Sequence, residues 1–366
     1  MEVEKGLNIY ILGAGCSAAY GYPLAQDFRA DLKSYGEQLA TRAGCDRLKR
    51  AAADTVNLME RHGSQTIDRL VRYLDEQIDS SHPPGVMSFA ADPLIRNWET
   101  AKSRVDEQIL DAKRVTMARF IELEVAARDR DLSGYRDFLG DIFDGNRRLS
   151  VLANTKSRVL SFNYDRLFEK AFAEYFRLPP GQYVNCYQPE LLNSGWRGWG
   201  GPGVQGEEIA QGCFCFLKLH GSALAWVDRF YGEARYMPCG LGQVVNDESL
   251  WPSGHQGSPI PPQPFIVFPH EKEGVIQSGY TPVYAPYLNK IWAMAGQLIR
   301  SAREVRVIGY SFDRNDRPFL VERLKQSPAD SKIVVQGKDP APIVADLKAF
   351  YPDLEERIGK PVTRLF

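Results

Sequence analysis

The sequence predicts an α/β fold in which a parallel sheet with crossover helices carries a large inserted helical module. Three observations lead there. Leu7 to Leu12 is a short apolar run ended by glycine, similar runs recur from Ser157 onward between helical patterns, and the region between is long, charged and helical in period. Strands alternating with helices indicate a parallel sheet, because parallel neighbours need crossover connections.

Taken in order, LNIYIL at Leu7–Leu12 has the continuous apolar character of a strand buried on both faces, and a helix is expected from Ser17 onward. From about Asp27 to Leu149, apolar residues fall at three- and four-residue spacing, as in Thr66 to Ile78 and Arg104 to Ala127, with one break at Pro83-Pro84. Strands are expected at Ser157 to Phe162, Cys213 to Leu219, Phe265 to Phe268, Val305 to Gly309 and Lys332 to Val335. Helices are expected at Asp165 to Phe176, Pro286 to Ala302 and Arg317 to Gln326. Residues 1–30 and 150–366 then form one domain, with 31–149 as the inserted module. Asn193 to Gly206, rich in glycine and tryptophan, and Gly254 to Pro264, rich in glycine and proline, read as long loops, which usually carry function or mobility. No internal repeat is visible.

The chain has 366 residues, 44% hydrophobic and 25% charged, which is ordinary for a globular protein. A net charge of −1 gives no electrostatic reason to expect direct nucleic-acid binding or an anionic membrane partner. The arginines at 114, 119, 128, 130, 147 and 148 are interleaved with acidic residues, so they read as a solvated helical surface. Met1 to Gly6 is polar and unlike a signal peptide, and no apolar run approaches the roughly 20 residues of a membrane span. The six cysteines are scattered and read as reduced thiols, which places the chain in the cytoplasm.

The strongest local signal is Gly13-Ala14-Gly15-Cys16-Ser17-Ala18, directly after the first strand. Glycines there let the backbone turn tightly and approach a pyrophosphate at a helix N-terminus, the Rossmann-like arrangement, and Ala18 suits the third position of that fingerprint. A tight strand-to-helix turn also wants small residues, so the pattern alone has two readings. A dehydrogenase would place an acidic strand end about 20 positions on. Asp31 and Glu37 stand at that distance in helical surroundings, so the hydride-transfer reading fails there.

Beyond the turn, Gly21-Tyr22-Pro23 leads to Asp27-Phe28-Arg29, with Leu24-Ala25-Gln26 between. Three further segments follow: Ser161-Phe162-Asn163-Tyr164-Asp165, Lys218-Leu219-His220-Gly221-Ser222 and Gly309-Tyr310-Ser311-Phe312-Asp313. In this order they resemble the sirtuin family: its glycine-alanine-glycine opening with Gly-Ile-Pro-Asp-Phe-Arg, its Thr-Gln-Asn-Ile-Asp strand end, its catalytic His-Gly and its late glycine-serine turn. Four ordered matches from residue 13 to 313 are more specific than any one alone. The chain departs from the protein-deacetylating branch, which carries two Cys-x-x-Cys pairs after the histidine; here only Cys239 follows it, and four thiolates close a structural zinc site. Cys213-x-Cys215 precedes the histidine and reads as buried thiol along a strand. The resemblance is therefore to bacterial antiphage-defence sirtuin-like domains that hydrolyse NAD.

That resemblance implies NAD as substrate, no metal, and a site built from Asn163 and His220 as catalytic residues. Gly13, Ala14, Gly15, Cys16, Ser17, Pro23, Asp27, Phe28, Arg29, Phe162, Asp165, Gly309 and Ser311 would bind the nucleotide. Asn163 can hydrogen-bond the ribose or a water without changing charge, and His220 titrates near neutral pH and suits a general base. Asp165 reads either as a partner for the carboxamide or as the cap of the helix beginning near Arg166. Asn163 as a turn former and His220 as a turn histidine are the plain alternatives. Phe268-Pro269-His270-Glu271-Lys272, after a strand, resembles a loop the family places near the substrate, which would set His270 behind the first contacts, and Trp196, Trp199 and Trp226 read either as a cover over the cofactor or as anchors of their loops. The competing functions are a deacylase or ADP-ribosyltransferase, and a catalytically silent NAD-binding assembly module. The resemblance also implies a homo-oligomer or a defence partner of ATPase or Argonaute type.

Overall fold

A computed structural model describes residues 6–80, 93–127, 130–178, 214–230, 233–238, 245–251, 263–268, 285–312 and 316–366. Five parallel strands form the main sheet: β1 (Leu7–Leu12), β2 (Ser157–Ser161), β3 (Cys215–Lys218), and, later in the chain, β7 (Ala302–Ile308) and β8 (Lys332–Gln336). Their order is β3-β2-β1-β7-β8. The chain builds outward from β1 to one edge, then returns to β1's other side, so the strand order reverses between β1 and β7. In open parallel sheets of this Rossmann-like type, that crevice at the carboxyl ends is where ligands bind.

The sheet separates two cores, as the two-residue period of a strand requires. Leu7, Ile9 and Ile11 of β1 join Leu160, Leu217, Val305 and Val307 in one cluster, under α9 (Ala285–Arg300), α10 (Arg317–Lys325) and α11 (Ala341–Phe350). Leu12, Val159, Phe216 and Ile308 face the other way. There they meet the helices that follow β1: after the short α1 (Gly15–Ala18) come α2 (Phe28–Leu39), α3 (Asp46–Arg61), α4 (Ile67–Ser80), α5 (Pro93–Ala126) and α6 (Ser133–Ile142), and α7 (Leu167–Phe176) follows β2. At 34 residues, α5 runs about 50 Å. It packs on α3 and α4 and reaches over the second sheet. The helices between β1 and β2 thus share one hydrophobic cluster with a face of the sheet.

Two expectations need correction. The strand expected at 265–268 lies instead at Gln263–Ile266 (β6) and is no member of the parallel sheet. It pairs antiparallel with β4 (Gly221–Phe230), which pairs antiparallel with β5 (Glu233–Pro238). Gln263 to Phe268 is buried throughout, so its composition matches a parallel strand and only its partners tell otherwise. Second, the arginine-rich stretch is not all solvated surface. Arg114 is buried against Asp111 and lies over Trp251, and Arg119 grips Asp31 through two bonds of 2.8 and 2.6 Å. Besides these, α8 (Asp247–Leu250) is a short helix with an Asn246 capping box, and α11 begins at a Pro340 stop-start that periodicity passed over. The loops at 193–206 and 254–262, Pro83-Pro84 and Cys213 lie outside the described residues. No helix among the described residues is long and apolar enough to cross a membrane.

Candidate active site

Register places the exits of four strands side by side. Leu12 pairs with Ser161 and Ile308, and Ser161 pairs with Lys218. The turns at 13–17, 162–165, 219–220 and 309–312 therefore share one edge of the sheet. These are the four segments singled out by sequence.

The glycine turn after β1 is packed against the turn after β7. Gly15 donates its amide to the Gly309 carbonyl at 2.8 Å, and Gly13 donates to Ile308 at 2.9 Å. A Cβ on Gly13 would stand 2.5 Å from the Tyr310 Cα, and one on Gly15 would stand 2.8 Å from the Gly309 oxygen. Gly309 adopts φ +60°, with its missing side chain 2.7 Å from the Cys16 amide. The amides of Cys16, Ser17 and Ala18 donate back into the turn itself. The glycines are thus explained by close approach of two backbones. Cys16 is fully buried, its thiol donating to the Ile308 carbonyl at 3.1 Å, and burial pushes its pKa up.

Ser17 organises the centre of the site. Its hydroxyl donates to Asp165 Oδ2 at 2.6 Å, and its oxygen accepts from Asn163 Nδ2 at 3.2 Å. A carboxylate only accepts, so the Ser17 proton must point to Asp165, and the amide presented to Ser17 must be the NH2. Asp165 therefore fixes, through Ser17, which way the Asn163 amide faces. Its other oxygen accepts from the Leu167 amide at 3.0 Å, so Asp165 also caps α7. Tyr135 of α6, fully buried with its phenol pushed well up by burial, lies 3.4 Å from the Ser17 hydroxyl. Asn163 is buried, yet its Oδ1 has no hydrogen-bond partner among the described residues. A buried polar atom left unpaired costs free energy, and such atoms mark places where a ligand or water is received.

His220 follows β3 by two residues. Gly221 after it takes φ +74°, and a Cβ there would stand 2.1 Å from the Phe265 carbonyl oxygen, which explains the His-Gly pair. The His220 carbonyl accepts from Val267, so the residue following β6 steadies the turn, and Tyr164 donates to the Val267 carbonyl at 3.0 Å. The imidazole is buried, with Phe162 edge-on at 4.8 Å and Tyr164 at 6.0 Å. Its Nε2 lies 3.1 Å from Asp316 Oδ1, and Asp316 Oδ2 accepts from the Tyr310 hydroxyl at 2.5 Å. Phe162 stacks on Tyr310 with centroids 4.4 Å apart.

Beneath the turn, Lys218 donates to the carbonyls of Asp165 and Tyr164 and to Glu169 Oε1 at 3.0 Å. Both side chains are buried. Burial pushes the Glu169 carboxyl up, and Lys218 pulls it back down. The pair holds the 163–166 turn and the first turn of α7 in place.

Asn163, His220, Ser17, Asp165 and Phe162 come together at this edge, beside Gly13, Gly15, Cys16 and Gly309. Ala14 and Ser311 stand exposed at the same turns. Of the remaining expected binding residues, Asp27 is exposed, Phe28 is buried against Phe120, Pro23 is half-buried, and Arg29 is engaged with the Ser64 carbonyl. Asp313, His270, Cys239, Trp196 and Trp199 lie outside the described residues, and Cys215 is a buried thiol. Sequence reasoning assigned no role to Tyr135, Glu169, Lys218, Tyr310 or Asp316. Asp316 precedes Arg317-Pro318, so its only sequence signal was that of a helix start. Among the described residues no group of three or more His, Cys, Asp or Glu side chains is arranged to hold a metal ion.

No family model matches this sequence, and no curated protein matches it. Among solved structures, a Sir2 homologue mutant in complex with ADP-ribose aligns at 12% identity over 99% of this chain and 88% of that one, with a TM-score of 0.42. Sir2Tm bound to a propionylated peptide aligns at 12% identity over 99% and 89%, with a TM-score of 0.37. Sir2 in complex with an inhibitor, 2'-O-acetyl-ADP-ribose and a deacetylated peptide aligns at 12% identity over 98% and 88%, with a TM-score of 0.37. Likeness at this level assigns no residue a role.

Proposed function

We propose that this chain is an NAD glycohydrolase that cleaves NAD to nicotinamide and ADP-ribose. The observation that carries the reading is the Asn163 amide, held by Ser17 with its buried carbonyl oxygen unpaired at the carboxyl edge of the sheet. As the bond from ribose C1' to the nicotinamide nitrogen breaks, its electron pair leaves with nicotinamide and positive charge builds on the ribose. A preorganised amide oxygen stabilises that charge without reorganising. Water adds to C1', and its proton passes to His220, the one titratable imidazole at this edge among the described residues. Phe162 and Tyr164 flank the imidazole with aromatic surface, and Tyr310 stacks on Phe162, which limits bulk water beside the ring.

The ordered motifs support the same reading, as does the single cysteine after His220, too few for the zinc ribbon of the deacetylating branch. Gly13, Gly15, Cys16, Ser17 and Gly309 form the proposed nucleotide side of the site, with Ala14 and Ser311 at its rim. Unrestrained NAD cleavage would harm the host, so the proposed setting is a cytoplasmic NAD-depleting effector of bacterial antiphage defence. Its activity would be restrained until self-assembly or a partner protein of ATPase or Argonaute type releases it.

The test is incubation of the purified chain with NAD, following nicotinamide and ADP-ribose by chromatography and NAD binding by calorimetry. His220→Ala and Asn163→Ala are each expected to lower turnover at least about 100-fold while leaving the melting transition cooperative. Turnover that survives both substitutions removes the mechanism. Absence of NAD binding by the native chain removes the substrate.

A further inference from the structure

His220 leaves the end of β3, whereas Asp316 belongs to the segment after β7, and in the sheet order β2 and β1 lie between them. Their contact therefore spans the carboxyl edge across the crevice where the strand order reverses. Asp316 is wholly buried and sits at the N-cap position of α10, where an aspartate usually bonds the helix's first amides. Its side chain makes no such capping bond. Instead one oxygen meets His220 Nε2 at 3.1 Å, and the other receives the Tyr310 hydroxyl at 2.5 Å. Tyr310 is held by its stack on Phe162, which also stands edge-on to His220, so one ring touches both partners of Asp316.

We infer that Asp316, oriented by Tyr310, is a positioning residue that accepts the Nε2 proton of His220 and so sets the tautomer and angle of the imidazole. In the neutral ring one nitrogen donates and the other accepts. A carboxylate partner requires the proton on Nε2 and leaves Nδ1 as the basic nitrogen. When the ring takes up a second proton on Nδ1, the neighbouring carboxylate stabilises the imidazolium, and no bond to Asp316 has to break. The use of that nitrogen in NAD cleavage rests on the function proposed above; the hydrogen bond and the tautomer do not.

The experiment uses the full chain labelled with 15N at histidine, with the His220 signals assigned by their loss in His220→Gln. Nitrogen shifts are expected to show Nε2 protonated and Nδ1 unprotonated in the neutral form. In Asp316→Asn, the Tyr310 hydroxyl still donates to the oxygen, which turns the amide NH2 toward His220. Nε2 must then accept, so the proton is expected to move to Nδ1. NAD turnover by the same variant is expected to fall in kcat by at least about 100-fold with KM changed less than about threefold, since the group acts on the chemical step. Tyr310→Phe, which keeps the aromatic stack and the Asp316 carboxylate, is expected to keep the proton on Nε2. A native His220 protonated on Nδ1, nitrogen signals unmoved by Asp316→Asn in protein whose near-UV circular dichroism is native, or a rise in kcat in that variant would each overturn the inference. The expected tautomers without NAD binding by the native chain would uphold the positioning role and remove the proposed function alone.

Discussion

The amide of Gly15 and the carbonyl of Gly309 meet at 2.8 Å, which joins the first turn of the chain to one almost three hundred residues later. The bond lies where the strand order reverses, so the two turns bordering the crevice between β1 and β7 pack backbone against backbone. Side chains are excluded there by distance, and at Gly309 also by φ +60°.

Gly309→Ala should therefore destabilise the protein by roughly 3 kcal/mol, combining left-handed strain with overlap at the Cys16 amide. Gly15→Ala, whose Cβ would stand 2.8 Å from the Gly309 oxygen, should follow at about 2 kcal/mol. Gly36→Ala is the control: it lies inside α2 with nothing near its absent Cβ, and should stabilise by about 0.5–1 kcal/mol. Urea unfolding midpoints of the three variants decide the matter. Equal, small effects would mean that the two turns do not pack as described.

Ser17→Ala removes the oxygen that serves both Asp165 and Asn163 and that lies 3.4 Å from the Tyr135 hydroxyl. Asp165 loses a donor and Asn163 loses the acceptor that orients its amide. Leaving these groups buried should cost about 1–3 kcal/mol. A reoriented amide should also lower NAD turnover by about 100-fold, as small misplacements at a reacting centre do. Unfolding and steady-state kinetics on one preparation separate the two effects. A loss of stability with turnover intact would show that Asn163 is oriented by something other than Ser17.

The parts of the fold visible in sequence are those whose signal is local. LNIYIL, the glycine turn and the helices at 167–176, 285–300 and 317–325 carry their own periodicity or punctuation, so their places were legible. The second sheet was not, because PFIVF is buried on all sides and looks the same beside a parallel or an antiparallel partner. At the candidate site, Asn163, Ser17 and His220 each stand in a short motif at a strand exit. Asp316 stands in no motif: its contact with His220 joins residues that follow strands β7 and β3, with β1 and β2 between them in the sheet, a fact of topology. Lys218 was quoted only as a neighbour of His220, although alternation along β3 turns it toward α7 and Glu169.

Arg166 of the 163–166 turn clamps α5 through two bonds to Glu124, at 3.0 and 2.7 Å, with the guanidinium almost fully buried. Arg166→Ala strands Glu124 and should cost about 3 kcal/mol, whereas Arg166→Ala with Glu124→Ala should cost less than the sum of the two single changes. A double-mutant cycle from urea midpoints measures the difference. Strict additivity would mean that Arg166 and Glu124 are not coupled in holding α5 to the 163–166 turn.

The buried pair of Lys218 and Glu169 makes a prediction with a pH sign. Lys218→Met leaves Glu169 in the core without its cation and should cost about 3–5 kcal/mol at neutral pH, while Lys218→Met with Glu169→Leu should recover much of it. Burial already pushes the Glu169 carboxyl up against the pull of Lys218, and loss of Lys218 raises it further. A carboxyl that holds its proton more tightly folded than unfolded contributes stability fully below its unfolded pKa, and that contribution is lost as pH rises through the folded value. The destabilisation by Lys218→Met should therefore be smallest near pH 5 and grow toward pH 8, with a constant part from the Asp165 carbonyl, which loses its ammonium donor. Urea midpoints of native and variant protein across that range give the answer. A gap that stays level or narrows with rising pH would show that Glu169 is not the charge Lys218 neutralises.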